Sequence, residues 1–209
     1  MSTSDLDRAQ SNPLLAGTQS WAHLVQAVGP ASMLVAIEGR LGPVLKLRVQ
    51  AEDIWQETLL HAWRDRELCQ WSDVRGFRRW LLGVADHRIA DARDFFAAQK
   101  RDGKRERPLI RPGSVADGSW QAEPSGSTTP SRLAVQREQA HHMGRALQSV
   151  PVEMREVLQL RLFDGLTIPD IAAQLGIGES AAKHRYRKGA ELYRDCLHRY
   201  LRTASERNS

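Results

Sequence analysis

Residues 103–132 constrain most how this chain can fold. They read "GKRERPLIRPGSVADGSWQAEPSGSTTPSR", rich in Gly, Pro, Ser and Thr and poor in large apolar side chains. Such a stretch buries too little apolar surface to offset its ordering entropy, so its composition marks a linker. A chain of 209 residues interrupted there must build two small cores, one on each side. Fully extended, a linker of this length reaches roughly 100 Å. Two turns of duplex DNA measure roughly 70 Å, so the two halves can address separate, spaced sites.

Both halves read as helical. No run of alternating Val, Ile, Thr and Tyr is bounded by hairpin turns. The expectation is an all-α protein of two small helical domains, at 20–102 and 133–203, joined by a flexible linker at 103–132. Residues 1–19 are expected to be a disordered tail and 204–209 a second, shorter one. In the first half, helices break at Gly29-Pro30 and Gly42-Pro43. A helix follows at 51–65, then a loop at 66–74, then one long helix over 75–101 with a basic end. In the second half, helices at 133–149 and 151–163 meet at Pro151, followed by short and long helices at 168–175 and from 179 to about 202.

The stretch "TIPDIAAQLGIGESAAKHRYRKG", residues 167–189, carries the most specific local signal. Thr167 followed by Asp170 forms a capping-box pattern. The order helix, "LGIG" turn, helix is that of a helix-turn-helix. Ile168, Ile171, Ala172, Leu175 and Ile177 supply its small core. On a helical wheel Ala182, Tyr186 and Gly189 fall inward. Ser180, Lys183, His184, Arg187 and Lys188 fall outward as a polar, cationic face able to donate to phosphates and base edges, and small Ala181 allows close approach to a groove. A surface helix can carry Lys and Arg merely for solvation. The helix-turn-helix spacing in front of this one turns the reading to DNA contact. A net charge of +5 and a pI of about 9.6 agree with an anionic partner.

"AEDIWQETLLHAW", residues 51–63, is of the opposite kind. Ala51, Ile54, Thr58 and Ala62 mark its inward face, flanked by Trp55 and Leu59. Glu52, Asp53, Gln56, Leu60 and Trp63 mark the outward one. Acidic groups beside exposed apolar side chains repel phosphate and suit a basic protein surface, with Leu60 or Trp63 as anchor.

Other classes are poorly served. Glu57 and His61 share a face, but no further metal ligand is evident, and HExxH is absent. Adjacent His141 and His142 point to different sides of a helix. There is no Gly-rich phosphate loop and no GxSxG. The expectation is therefore no enzyme activity, no metal and no cofactor. The apolar runs "MLVAI" and "WLLGVA" are too short to span a membrane, and the N-terminus lacks the layout of a signal peptide. Cys69 and Cys196 lack CxxC partners, which suits a reducing compartment. No membrane insertion and a cytoplasmic location are expected.

Taken in order, these segments resemble a bacterial sigma factor of the extracytoplasmic-function (ECF) group, which carries the second and fourth conserved sigma regions. "AEDIWQETLLHAW" resembles the helix that binds core RNA polymerase. "GFRRWLLGVADHRIAD" with its basic tail resembles the segment that opens and reads the −10 promoter element. "VPVEMREVLQLRLFDGLTIPDIAAQLGIGESAAKHRYRKG" resembles the fourth region, which reads the −35 element. The motifs cover about 150 of the 209 residues.

The resemblance implies an alternative sigma factor that directs core RNA polymerase to a subset of promoter DNA, with an anti-sigma factor as a common controlling partner. It implies that Glu52, Asp53, Gln56, Glu57 and Leu60 face the polymerase. Phe77, Arg78, Trp80, Arg88 and Arg93, the basic end at Lys100 and Arg101, and the 66–74 loop would engage the opened −10 strand. Aromatic rings can stack on unpaired bases and arginines can follow the backbone. For Trp80 and Leu81 a core role is the stronger reading. Ser180, Ala181, Lys183, His184, Arg187 and Lys188 would meet the −35 element.

Three departures stand out. Asp86-His87 replaces the Arg-Asn frequent in the family, Ala181-Ala182 replaces Thr-Val, and Gly189 replaces Ala. Gly189 costs about 1 kcal/mol of helix propensity and permits close packing. The rival reading is a free-standing helix-turn-helix repressor or activator. Such proteins usually dimerise, and no dimerisation heptads are evident.

Overall fold

The computed structural model describes residues 12–101 and 130–207, with side chains described for 12–98 and 131–202. Among the described residues all regular structure is helical: α1 (Thr18–Val28), α2 (Pro30–Arg40), α3 (Pro43–Lys46), α4 (Ala51–Arg64), α5 (Val74–Arg101), α6 (Pro130–Gln148), α7 (Val152–Leu158), α8 (Ile168–Leu175) and α9 (Glu179–Arg207). The all-α expectation holds. The chain divides into two compact units, Met1–Gly29 with Ile37–Thr129 and Pro30–Ala36 with Pro130–Ser209, as far as they are described.

In the first unit α4 and α1 both pack on the long helix α5. Ile54, Trp55, Thr58 and Ala62 of α4 are buried, as their spacing predicts. Buried Thr58 returns its hydroxyl proton to the carbonyl of Ile54, one turn back, at 2.7 Å. Asp73 starts α5: its Oδ1 accepts the amide N–H of Gly76 at 2.6 Å.

Of the expected N-terminal tail, residues 1–11 lie outside the described residues, but 12–19 are ordered by two devices. Asn12 Oδ1 accepts the Leu14 amide at 3.0 Å and opens a single 3₁₀ turn, Pro13–Leu15. Leu14 is fully buried, and Ser20 Oγ donates to the Pro13 carbonyl at 2.7 Å. The tail expectation is corrected over these residues. The expected linker lies outside the described residues except at its end, where α6 already begins at Pro130, three residues early. α9 likewise runs on to Arg207, where a tail was expected.

In the second unit α9 packs on α6, α7 and α8. Helix α7 ends at Leu158 and continues as a π turn, Gln159–Phe163, rather than as α-helix. The wider turn bonds the Asp164 amide to the Gln159 carbonyl at 3.1 Å and leaves both Leu158 and Phe163 in the core. Gly189 is buried where α9 crosses α7. A Cβ there would lie 3.1 Å from both Met154 Cβ and Leu158 Cδ1, so its lost helix propensity is exchanged for a close approach of two helices.

Tyr193 points into this core, its ring edge-on to Phe163 at 6.4 Å. Its hydroxyl is buried with no hydrogen-bond partner among the described residues, and burial pushes the phenol up to about 12. Removing an unsatisfied buried polar atom relieves its desolvation cost. Tyr193→Phe is expected to raise unfolding stability by about 1 kcal/mol, read from the urea midpoint of the full chain. With a folded pKa above the unfolded one, wild-type stability is complete below pH 10 and falls as pH climbs toward 12. The phenylalanine variant lacks that component.

Candidate nucleic-acid interface

The helix-turn-helix forms from local chemistry. Thr167 caps α8: its Oγ1 accepts the Asp170 amide at 3.4 Å, while Asp170 Oδ2 accepts the Thr167 amide at 3.3 Å. At the other end Gly176 adopts φ +63°, a conformation that L side chains rarely adopt. The amides of Gly176 and Ile177 then close on the carbonyls of Ala173 and Ala172, at 3.3 and 3.0 Å. This closure turns the chain sharply into α9. Ile171, Ala172 and Ala182, with Val157, form the buried cluster, and Ile168, Leu175, Ile177 and Tyr186 pack against it.

That core fixes which face of α9 meets solvent. Ser180, Ala181, Lys183, His184, Arg187 and Lys188 are all exposed, whereas Ala182 and Gly189 are buried. The six expected residues thus lie together on one accessible surface. Arg185, at its flank, is half-buried and paired with Glu153 of α7 at 3.5 Å. The cations Lys183, Arg187 and Lys188, with His184 beside them, follow one another along the helix with no acidic residue between them.

On α4, Asp53 and Gln56 are exposed, Glu52 and Glu57 half-buried, and Leu60 is 43% exposed. The five expected residues share one side of the helix. Asp53 Oδ2 also accepts the Gln50 amide at 3.4 Å and helps to start the helix. Trp63 departs from the outward position expected for it. Its ring packs edge-on against Trp21 at 5.3 Å, and the Arg66 guanidinium lies 4.3 Å above it.

The residues expected at the −10 strand are scattered, and two of them are corrected. Phe77 is 1% exposed, stacked with Trp80 and edge-on to Trp21. Arg78 is 8% exposed and donates from Nη1 to the Val28 carbonyl at 2.8 Å, closing the C-terminal end of α1. Both belong to the interior, and neither ring nor guanidinium presents itself to a strand. Trp80 is half-buried and Leu81 fully buried. Arg93 is exposed, beside Asp94 at 3.7 Å. Lys100 and Arg101 end α5, and their side chains lie outside the described residues. The sequence reading missed Arg75 and Arg79, exposed in the first turns of α5 directly after the 66–74 loop. Their spacing, four residues apart, was a usable signal.

Arg88 ties the two helices together. Its Nη2 bonds Asp91 at 2.9 Å and its Nη1 reaches His61 Nε2 of α4 at 3.0 Å. The Arg64 guanidinium lies 2.6 Å from the other ring nitrogen. Burial, then Arg88 and Arg64, hold the His61 pKa below its usual 6.5, which favours a neutral ring that accepts from one of the two guanidinium groups. Asp65 and Asp91 act in the opposite sense without overcoming this, and Glu57 Oε2 lies 3.8 Å from Nε2. A depressed histidine pKa stabilises the fold above the unfolded value and loses stability as pH falls below 6.5. His61→Gln is expected to flatten this acid loss, checked by thermal melts of both proteins between pH 7 and pH 5. Asp86, the departure noted above, is paired with Arg40 at 3.0 Å, so its charge is neutralised within the protein.

Comparison with known proteins bears on both halves. The family described as Sigma-70 region 2 matches residues 34–101, and that described as Sigma-70, region 4 matches residues 142–191. The ECF RNA polymerase sigma factor SigD of Mycobacterium tuberculosis is 30% identical over 155 residues, covering 70% of this chain and 64% of SigD. SigL of the same species is 31% identical over 136 residues, covering 65% of this chain and 68% of SigL. SigX of Bacillus subtilis is 26% identical over 153 residues, 72% of each protein. The chain therefore spans a little under two thirds of the length of SigD. With an acidic–apolar face in the part that matches region 2 and a solvent-facing cationic helix in the part that matches region 4, the chain belongs to the ECF sigma factors of the sigma-70 family.

Proposed function

We propose that this protein is an alternative sigma factor: it joins core RNA polymerase in the cytoplasm and directs it to promoters carrying matched −10 and −35 elements. It is not itself an enzyme in this reading. The observation that carries it is the α9 face, where Ser180, Ala181, Lys183, His184, Arg187 and Lys188 are all exposed behind a capped helix-turn-helix. These side chains dock in the major groove of the −35 element. Glu52, Asp53, Gln56, Glu57 and Leu60 of α4 engage a basic surface of the polymerase. At the −10 element the cations of α5 act: Arg75, Arg79 and Arg93, with Lys100 and Arg101. The loop before α5 receives an unpaired base.

Because the DNA contacts are divided between two small units, the free chain binds promoter DNA weakly and the polymerase complex binds it tightly. Phosphate contacts release counterions, so affinity falls steeply with salt. Titrating labelled promoter DNA with the chain alone and with the chain plus sigma-free core polymerase tests this. The reading requires tight binding only in the complex. Tight, core-independent binding contradicts it. An anti-sigma protein that covers the α4 face would silence the chain, and a pull-down from native cells that recovers polymerase subunits alone counts against such control.

A further inference from the structure

The most exposed large apolar side chains among the described residues are neither in α4 nor in α9. Leu47 is 87% and Val44 72% exposed, on the turn that contains α3, and Leu68, in the loop before α5, is 77% exposed. The turn is anchored from below, since Leu41 and Leu45 are 4% and 8% exposed. Val44 and Leu47 are therefore held outward by a fixed backbone.

Exposed Lys46 and Arg48 flank Leu47, and no acidic residue occurs between Glu38 and Glu52. The Arg48 guanidinium lies over the Phe96 ring of α5 at 5.3 Å. Phe96 follows Arg93 by three residues, on one face of α5. The tip thus continues the cationic side of α5 that the proposed function assigns to the −10 region. Small apolar side chains set between cations suit the minor groove of duplex DNA, where phosphates lie on both walls and apolar wedges press against the base steps. An acidic protein partner is the rival occupant. Continuity with Arg93 favours DNA.

We propose that residues 43–48 form an additional DNA-contacting tip for the double-stranded segment adjoining the −10 element. Lys46 and Arg48 meet phosphates, and Val44 and Leu47 press into the groove. The inference rests on the sigma-factor reading.

The test uses the full chain assembled with core polymerase and two labelled promoter forks, one ending at the single-stranded −10 segment and one extended by flanking duplex. Lys46→Gln with Arg48→Gln should weaken the extended fork about tenfold and lower its log–log salt slope by about 2. The shorter fork should bind as before. Val44→Ser with Leu47→Ser should weaken only the extended fork, by a few-fold and without changing the slope. Equal loss on both forks, or no loss on either, overturns the proposal. Reduced affinity for core polymerase also overturns it, since the tip is then a protein-docking surface. Should the wild-type complex bind neither fork, the sigma-factor reading fails and takes this inference with it.

Discussion

Replacing Lys183 and Arg187 together with alanine should abolish promoter-specific transcription while leaving the protein folded and bound to polymerase. Both side chains are exposed on α9, away from the buried Ala182 and Gly189, so their removal opens no cavity. A side chain that bonds a base edge is worth about 1–3 kcal/mol of discrimination. Losing two should lower −35 affinity between about thirtyfold and about twenty-thousandfold. The salt dependence should become shallower by about 2 in log–log slope if both also neutralise phosphates. The measurement is anisotropy of a labelled promoter fragment with the assembled complex, beside circular dichroism of the variant. A variant that keeps full promoter affinity removes α9 from the account of recognition.

The second large effect lies at the other end of the molecule. Glu52→Lys with Asp53→Lys should destroy association with core polymerase, because two acidic groups facing a basic surface become two like charges. Like-charge juxtaposition at an interface costs several kcal/mol, enough to lower affinity at least a hundredfold. The isolated chain should keep whatever −35 binding it has. Asp53 also accepts the Gln50 amide, and losing such a cap costs about 1 kcal/mol. Gln56→Lys with Leu60→Lys changes the same face without touching the cap and should give the same loss. A free-standing repressor would tolerate both pairs.

What was legible in the sequence was what local chemistry decides. The capping box at Thr167, the left-handed turn at Gly176 and the apolar spacing through Ile171 and Ala172 each involve residues within one turn of one another. They fix α8, the turn and the exposed face of α9 without reference to the rest of the chain. The same holds for the buried positions of α4, which follow its period.

Legibility failed where a distant segment decided the outcome. Phe77 and Arg78 begin a helix that is cationic along much of its length, and nothing near them in sequence tells that Trp21 will cover the ring or that the Val28 carbonyl will take the guanidinium. Trp63 is drawn inward by the same Trp21. The order of residues 12–19 depends on Leu14 finding a buried site, which no periodicity in so short a segment can announce. Exposure of Val44 and Leu47 is equally illegible: nothing in the short segment around the Gly42-Pro43 break tells which of its apolar residues turn inward, and only the packing shows that Leu41 and Leu45 take the core positions.

The central claim is that this chain reads DNA for a polymerase and not on its own account. It is tested most directly by mixing the purified chain with sigma-free bacterial core polymerase, following the mixture by gel filtration, and transcribing genomic fragments with the product. The account predicts co-elution and new, discrete start sites preceded by a shared pair of spaced elements. Failure to co-elute, together with tight binding of the free chain to a specific DNA site, would contradict it and identify a repressor or activator instead.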